Sequence, residues 1–178
     1  MNTPVNRGIP LLQAHLGRVE EVNAKLDRML ARRPKIASKE DLTPAMIDVA
    51  YLEAAVLIKH RQATELLLQR FATNTLSITG FSWTTCIPRH MGGAAALLGR
   101  YDEAREHYQE AIRVCTEMGF RPELALSRLQ VAELLLDHYP DEKKDALEHL
   151  DFAIKEFREM KMQPSLERAL RRKDILKA

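Results

Sequence analysis

Cys86 and His90 stand four residues apart, the spacing at which two side chains share one helical face and can share a soft metal ion. Pro88 lies between them and no second Cys or His pair accompanies them, so the four ligands of a closed zinc site are missing. A Cys86 nucleophile would need a base and a group to orient it, which spacing alone does not supply; a buried thiol is the simpler reading. The histidines His15, His60, His90, His107, His138 and His149 are scattered through the chain, where solvated or hydrogen-bonded roles suffice. Gly92-Gly93 runs on into alanines, without the Lys-Ser/Thr of a phosphate-binding loop, and suits close helix packing. The carboxylate pairs Glu20-Glu21 and Asp102-Glu103 fall where helices are expected to start, and there negative charge meets the positive end of the helix dipole. These residues predict no catalytic centre, no metal site and no cofactor, and the chain is read as not an enzyme.

Two basic clusters remain: Arg28, Arg32, Arg33 and Lys35 near an expected helix C-terminus, and Arg168, Arg171, Arg172 and Lys173 on the last expected helix. Cations are favoured at helix C-termini in any case, and Asp27, Glu167 and Asp174 intervene. With no element to read bases, direct nucleic-acid binding is disfavoured, and the C-terminal cluster suits a junction to a following domain. The chain of 178 residues carries 27 Lys and Arg against 25 Asp and Glu, a net charge of +2, which gives no global attraction to nucleic acid or anionic lipid. With 46% hydrophobic and 29% charged residues it has the composition of a soluble domain, and only seven glycines and eight prolines argue for long helices. Two cysteines, Cys86 and Cys115, define no disulfide framework, so a reducing, cytoplasmic setting is expected. The N-terminus has no apolar core of signal-peptide length. The uncharged stretch 71–88 is broken by Asn74, Gly80 and several Ser and Thr residues, so no membrane span is expected.

Positioning is done by a repeat. Leu16-Gly17-Arg18-Val19-Glu20-Glu21-Val22 matches Leu98-Gly99-Arg100-Tyr101-Asp102-Glu103-Ala104, and Leu57 to Ala63 falls midway between them. Val22, Ala63, Ala104 and Ala146 then recur every 41 or 42 residues, followed four positions on by Leu26, Leu67, Tyr108 and Leu150, and eight on by Leu30, Phe71, Ile112 and Ile154. Small or apolar groups at these steps make one stripe on a helix. Upstream, Ile9, Ala50, Met91 and Ala132 keep the same register, as do Leu12, Glu53, Ala94 and Leu135, with Glu53 the polar exception. A unit of two helices cannot cover its own apolar stripe, so neighbours must stack.

The expected architecture is one domain over 1–178: hairpins at about 9–32, 43–72, 83–118 and 121–161, then a capping helix at about 163–177. Thr43 is positioned to cap a helix opened by Pro44, Gly119 to end one, and Pro122, Pro140 and Pro164 to punctuate the rest. The stretch 73–88 reads as a loop, with Phe81 and Trp83 packed beneath it.

Gly99-Arg100-Tyr101-Asp102-Glu103-Ala104-Arg105-Glu106-His107-Tyr108-Gln109-Glu110-Ala111-Ile112 resembles the turn and second helix of a tetratricopeptide repeat, with Met91-Gly92 at the first-helix Leu-Gly position. The terminal proline of that motif is replaced by a longer second helix, and the period is 41 rather than the usual ~34 residues. The resemblance implies an all-α, right-handed superhelical array of about four antiparallel helix hairpins with a C-terminal cap. The run 129–169 is similar to the C-terminal repeat arrays of large bacterial signalling and transcription regulators. It implies a noncatalytic scaffold that binds a protein or peptide, or adjacent domains of its own chain. First helices would line the groove through Arg7, Leu11 and His15; Asp48, Leu52 and Val56; Arg89, Gly93 and Leu97; and Gln130, Leu134 and Asp137. The Lys and Asn pattern with which some members clamp a terminal carboxylate is absent. The alternative is a small-molecule sensor with a pocket near the 73–90 connector, drawn from Phe81, Trp83 and the hydroxyl-rich run.

Overall fold

Five of the described helices are followed within two residues by one that takes positive φ. The computed structural model describes residues 8–72, 77–79 and 84–175. Among these, α1 (Ile9–His15), α2 (Val19–Arg32), α3 (Asp48–Leu57), α4 (Arg61–Ala72), α5 (Ile87–Leu98), α6 (Tyr101–Glu117), α7 (Arg121–His138), α8 (Lys143–Glu159) and α9 (Gln163–Ile175) carry the chain. Gly17, Lys59 and Gly99 take positive φ between the two helices of a hairpin, and Gly119 and Lys161 do so between hairpins. At each turn two N–H groups reach back to the preceding helix: Lys59 N to Val56 O at 3.1 Å and His60 N to Ala55 O at 2.8 Å, Gly99 N to Ala96 O at 3.1 Å and Arg100 N to Ala95 O at 2.9 Å. This double bond satisfies carbonyls that a helix C-terminus otherwise leaves unpaired. The two non-glycine residues hold a conformation that costs an L-residue about 1–2 kcal/mol.

The apolar register becomes the core. Val22, Ala63, Ala104 and Ala146 are fully buried, as are Leu26, Leu67 and Leu150, with Tyr108 nearly so. Phe71 and Ile154 are buried eight positions on, while Leu30 and Ile112 are half-buried. In the first helices Ala50, Met91, Ala132, Ala94 and Leu135 are buried, but Leu12 is 62% exposed, with no described element covering it. The chain is an all-α array of helix hairpins, with one short β-ribbon among the described residues, β1 (Ile78–Thr79) antiparallel to β2 (Thr85–Cys86). No described helix is long and apolar enough to cross a membrane.

Two compact units result. Residues 8–72 with Gly93–Arg100 form one; 77–79, 84–92 and 101–175 form the other. In the first, α1 and α3 pack side by side with α2 and α4 behind them. In the second, α7, α8 and α9 enclose Leu129, Ala132, Leu150, Ala153, Ile154 and Phe157.

Two helix starts differ from the expected ones. α3 begins at Asp48, after a 3-10 turn at Ala45–Ile47 whose cap position is held by Pro44 without a side-chain bond. Thr43 caps nothing there; its own N–H donates to Asp41 Oδ1 at 2.8 Å. α5 begins at Ile87 rather than 83, because Thr85 and Cys86 are held extended in the ribbon, paired with Thr79 and Ile78.

Candidate functional site

Asp48, expected in the groove, is fully buried at the start of α3. Arg33, just past α2, donates to both its carboxylate oxygens at 2.6 and 2.9 Å, and Arg70 on α4 donates through Nε at 2.6 Å. Arg33 also reaches Asp41 at 2.7 and 2.9 Å, while Arg70 bonds the carbonyls of Ile36, at 3.1 Å, and Thr43. Two guanidinium groups and two carboxylates thus pin the connector 33–48 to the end of α4. Burial works to lower the Arg33 pKa, but the hydrogen bonds to Asp48 and Asp41 outweigh it and raise the value. For Asp41 burial pushes upward, and the bonds from Thr43 and Arg33 win and bring its pKa below the ordinary range. A buried ion network of this kind orders a segment; each charge would be costly alone.

The second unit holds a matching network around Glu123, in the first turn of α7. Its carboxylate accepts from Arg89 Nε at 2.6 Å and Nη2 at 3.1 Å, from Thr85 Oγ1 at 3.0 Å and from the Cys86 N–H at 3.1 Å. His90 is buried against Thr85, with Nε2 2.7 Å from Thr85 Oγ1 and 3.1 Å from Arg89 Nη2. Because the Arg89 nitrogen can only donate, the neutral ring accepts at Nε2 and carries its proton on Nδ1. Burial first, then the Arg89 charge, hold the His90 pKa well below 6.5.

Cys86 and His90 have different partners. The Cys86 thiol lies in an apolar cluster with Ala111, Val114 and Cys115, its Sγ 4.0 Å from Ala111 O. The hydrogen bond that Cys115 donates to Cys86, then burial, push the Cys115 thiol well up. Gly92 serves packing: Tyr108 of α6 lies against it.

Polar bonds also tie elements of successive hairpins together at separations a little below the repeat length. Arg61 donates to Leu97 O at 2.8 Å, Arg100 to Glu65 at 2.6 Å, Tyr139 to Asp102 at 2.6 Å, and Arg105 to both Glu142 oxygens at 2.7 and 2.6 Å. Arg121 reaches Glu156 at 2.7 Å and Arg168 reaches Glu133 at 2.7 Å. Two further cations of the C-terminal cluster have acidic partners: Arg172 pairs with Asp137, and Lys173 with Asp151 at 2.5 Å.

The expected groove residues divide by exposure. His15 and Asp137 are exposed, and Leu11, Val56, Gly93, Leu97 and Gln130 are half-buried. Leu52 and Leu134 are core residues, and Arg89 is held by Glu123. Asp48, Leu52, Arg89 and Leu134 therefore have little or no surface to offer a partner, because the same helices that would line a groove also supply the stacking core. Arg7, Phe81 and Trp83 lie outside the described residues. Neither Glu123 nor Arg70 was foreseen as important, although a charged residue next to Leu67, Leu68 and Phe71 in an apolar stripe is itself a sign of a buried pair.

Residues 83–155, from the approach to α5 into α8, match the family described as Tetratricopeptide repeat. This segment belongs to the tetratricopeptide repeat superfamily. No curated protein and no solved structure matches the chain significantly. Within the repeat segment, α5 with α6 and α7 with α8 are the two helix pairs, and Ala104, Tyr108 and Ala111 hold the small, aromatic and small positions on the buried face of α6. The tetratricopeptide second helix runs 17 residues here, to Glu117, and Gly119 rather than proline ends it. As in the family at large, such repeats mediate protein interaction.

Proposed function

We propose that the chain is a noncatalytic repeat module whose first-helix surfaces receive a protein or peptide segment, and that it serves as the regulatory part of a larger bacterial signalling or transcription regulator in the cytoplasm. The tetratricopeptide match over 83–155 carries this reading. It is supported by cross-hairpin ion pairs that hold neighbouring elements in a fixed relation without a ligand, as in Arg105 with Glu142 and Arg168 with Glu133. A preorganised surface binds without first paying for its own ordering. The similarity of 129–169 to regulator arrays supplies the wider context, and the engagement of Arg168, Arg172 and Lys173 with carboxylates disfavours nucleic acid as the partner of the C-terminal cluster.

The partner-facing residues in this proposal are the accessible ones: Leu11, His15, Val56, Leu97, Gln130 and Asp137. The test is titration of a co-purified partner against His15→Glu and Asp137→Arg. Binding is expected to weaken at least about tenfold, equivalent to about 1.4 kcal/mol, with unchanged melting temperature in His15→Glu and only the small loss of an exposed ion pair, that with Arg172, in Asp137→Arg. Wild-type affinity in both variants would discard the groove assignment.

A further inference from the structure

In the first unit, the start of α1, one side of α2 and residues 43–51 enclose a cleft of about 570 Å³, within the range of roughly 300–1,000 Å³ typical of small-molecule sites. Its apolar lining comes from Ile9, Pro10, Met29, Ile47 and Tyr51. Its charge comes from Lys25, Arg28 and Arg32, spaced three and four residues apart along α2 and so on one side of that helix. Among the described residues no carboxylate lines it.

Most described arginines of this protein are committed to acids, and the fourth cation of the cleft, Arg33, is spent on Asp41 and Asp48. Lys25 donates to the side-chain oxygen of Gln13, whose amide in turn donates to Glu21 at 2.6 Å, so Lys25 makes no direct ion pair among the described residues. Arg28 and Arg32 form no ion pair among the described residues, and the stretches 1–7, 73–76, 80–83 and 176–178 contain no Asp or Glu. The helix dipole favours Arg32, in the last turn of α2. It does not account for Lys25 or Arg28, because its influence fades within one turn of the end. Three like charges beside an apolar floor repel one another and stabilise nothing in the fold, yet they suit an anion with an apolar body.

We propose that this cleft binds a small organic anion, a carboxylate or phosphate monoester on a compact apolar group. The body would lie on Met29, Ile47 and Tyr51, and the anionic oxygens would accept from Arg28 and Arg32, whose charged N–H groups form shorter and stronger hydrogen bonds than neutral donors. This site is separate from the groove residues above, so its failure would leave the interaction reading intact, and the reverse also holds.

The experiment is an amide-resolved NMR titration of the full chain with phenyl phosphate, benzoate, inorganic phosphate and benzyl alcohol, together with a glutamate hexapeptide. Saturable shifts confined to 28–32 and 47–51 are expected with phenyl phosphate or benzoate, and which of the two binds tighter assigns the headgroup. Inorganic phosphate and benzyl alcohol should bind at least about tenfold more weakly, since each supplies half of the recognition. An R28Q/R32Q variant, altered only at exposed positions, should keep its melting temperature and lose at least about tenfold in affinity. Absence of saturable shifts with both aromatic anions would overturn the proposal. So would undiminished binding in R28Q/R32Q, or tighter binding of the hexapeptide, which would make the cleft a peptide site.

Discussion

Tyr108 lies so close to Gly92 that a Cβ on the glycine would stand 2.5 Å from both Cδ1 and Cε1 of the tyrosine ring. The contact lets α6 approach α5 at a residue that matches the Leu-Gly pair of a tetratricopeptide first helix. Tyr108 is 3% exposed, so its ring has little room to withdraw. Gly92→Ala should destabilise the protein by about 1–3 kcal/mol through overpacking, against the ~1 kcal/mol that alanine gains over glycine within a helix. Urea denaturation of G92A, and of G92A/Y108L in which the smaller side chain should relieve part of the loss, measures it. A G92A protein as stable as the parent would show the ring free to move.

Asp48 pairs with both Arg33 and Arg70, so its removal leaves the half-buried Arg33 and the buried Arg70 to share Asp41 as their remaining carboxylate. Asp48→Ala should cost about 3–5 kcal/mol, the usual penalty for breaking a buried pair from one side. Replacing all three residues together, D48A with R33M and R70M, should recover much of the loss. Chemical denaturation of the single and triple variants separates an ion network that orders the connector from a simple gap in packing.

Lys59 adopts φ 61°, in the same hairpin-turn role that Gly17 and Gly99 fill at φ 72° and 83°. Lys59→Gly removes the strain of a Cβ in the left-handed region and should stabilise by up to about 1 kcal/mol, set against the greater freedom of glycine in the unfolded chain. Gly99→Ala should move stability the other way by about 1 kcal/mol. Thermal melts of the two variants check both signs.

His90 and His149 have pKa values lowered in the folded state, each chiefly by burial and then by a nearby arginine, Arg89 and Arg128 respectively. Below pH ~6.5 the unfolded chain therefore binds more protons than the folded one, and stability must fall as pH drops. The contribution is fully present above pH ~6.5 and is lost progressively toward the lower folded values. Melting temperature should decline between pH 7.5 and 5, and His90→Gln should flatten that slope while leaving the His149 part. An equally steep slope in H90Q would show that His90 is not a source of the dependence.

The fold was legible where one residue type does one job. The 41-residue register named Val22, Ala63, Ala104 and Ala146, and the structure buries all four completely. Gly99 and Gly119 marked turns because only a residue without a Cβ enters the left-handed region freely, whereas Lys59 and Lys161 make the same turns and carry no such mark. α5 starts at Ile87, later than the expected start at about 83, because Thr85 and Cys86 pair with residues six and eight positions back, a bond that helical periodicity does not report.

The candidate site was legible only in part, for a related reason. His15 in α1 and Asp137 in α7 are exposed, whereas Asp48 in α3 and Arg89 in α5, which spacing assigned to the same groove, are buried. One-dimensional spacing assigns a residue to a face of its helix, and in a stacked array a face that looks outward in one helix is covered by the next.

Sequence by itself determined the repeat, the buried stripe and the superfamily, because burial of an apolar face depends on the order of residues along one helix and on neighbours of the same kind. Tertiary structure decided which charges became partners. Asp48 with Arg70 and Arg89 with Glu123 are separated by 22 and 34 residues, and Arg28 and Arg32 were left at a cleft that Met29, Ile47 and Tyr51 also line. Pairing of charges depends on distances of a few ångströms between elements, and those distances exist only after the helices have packed.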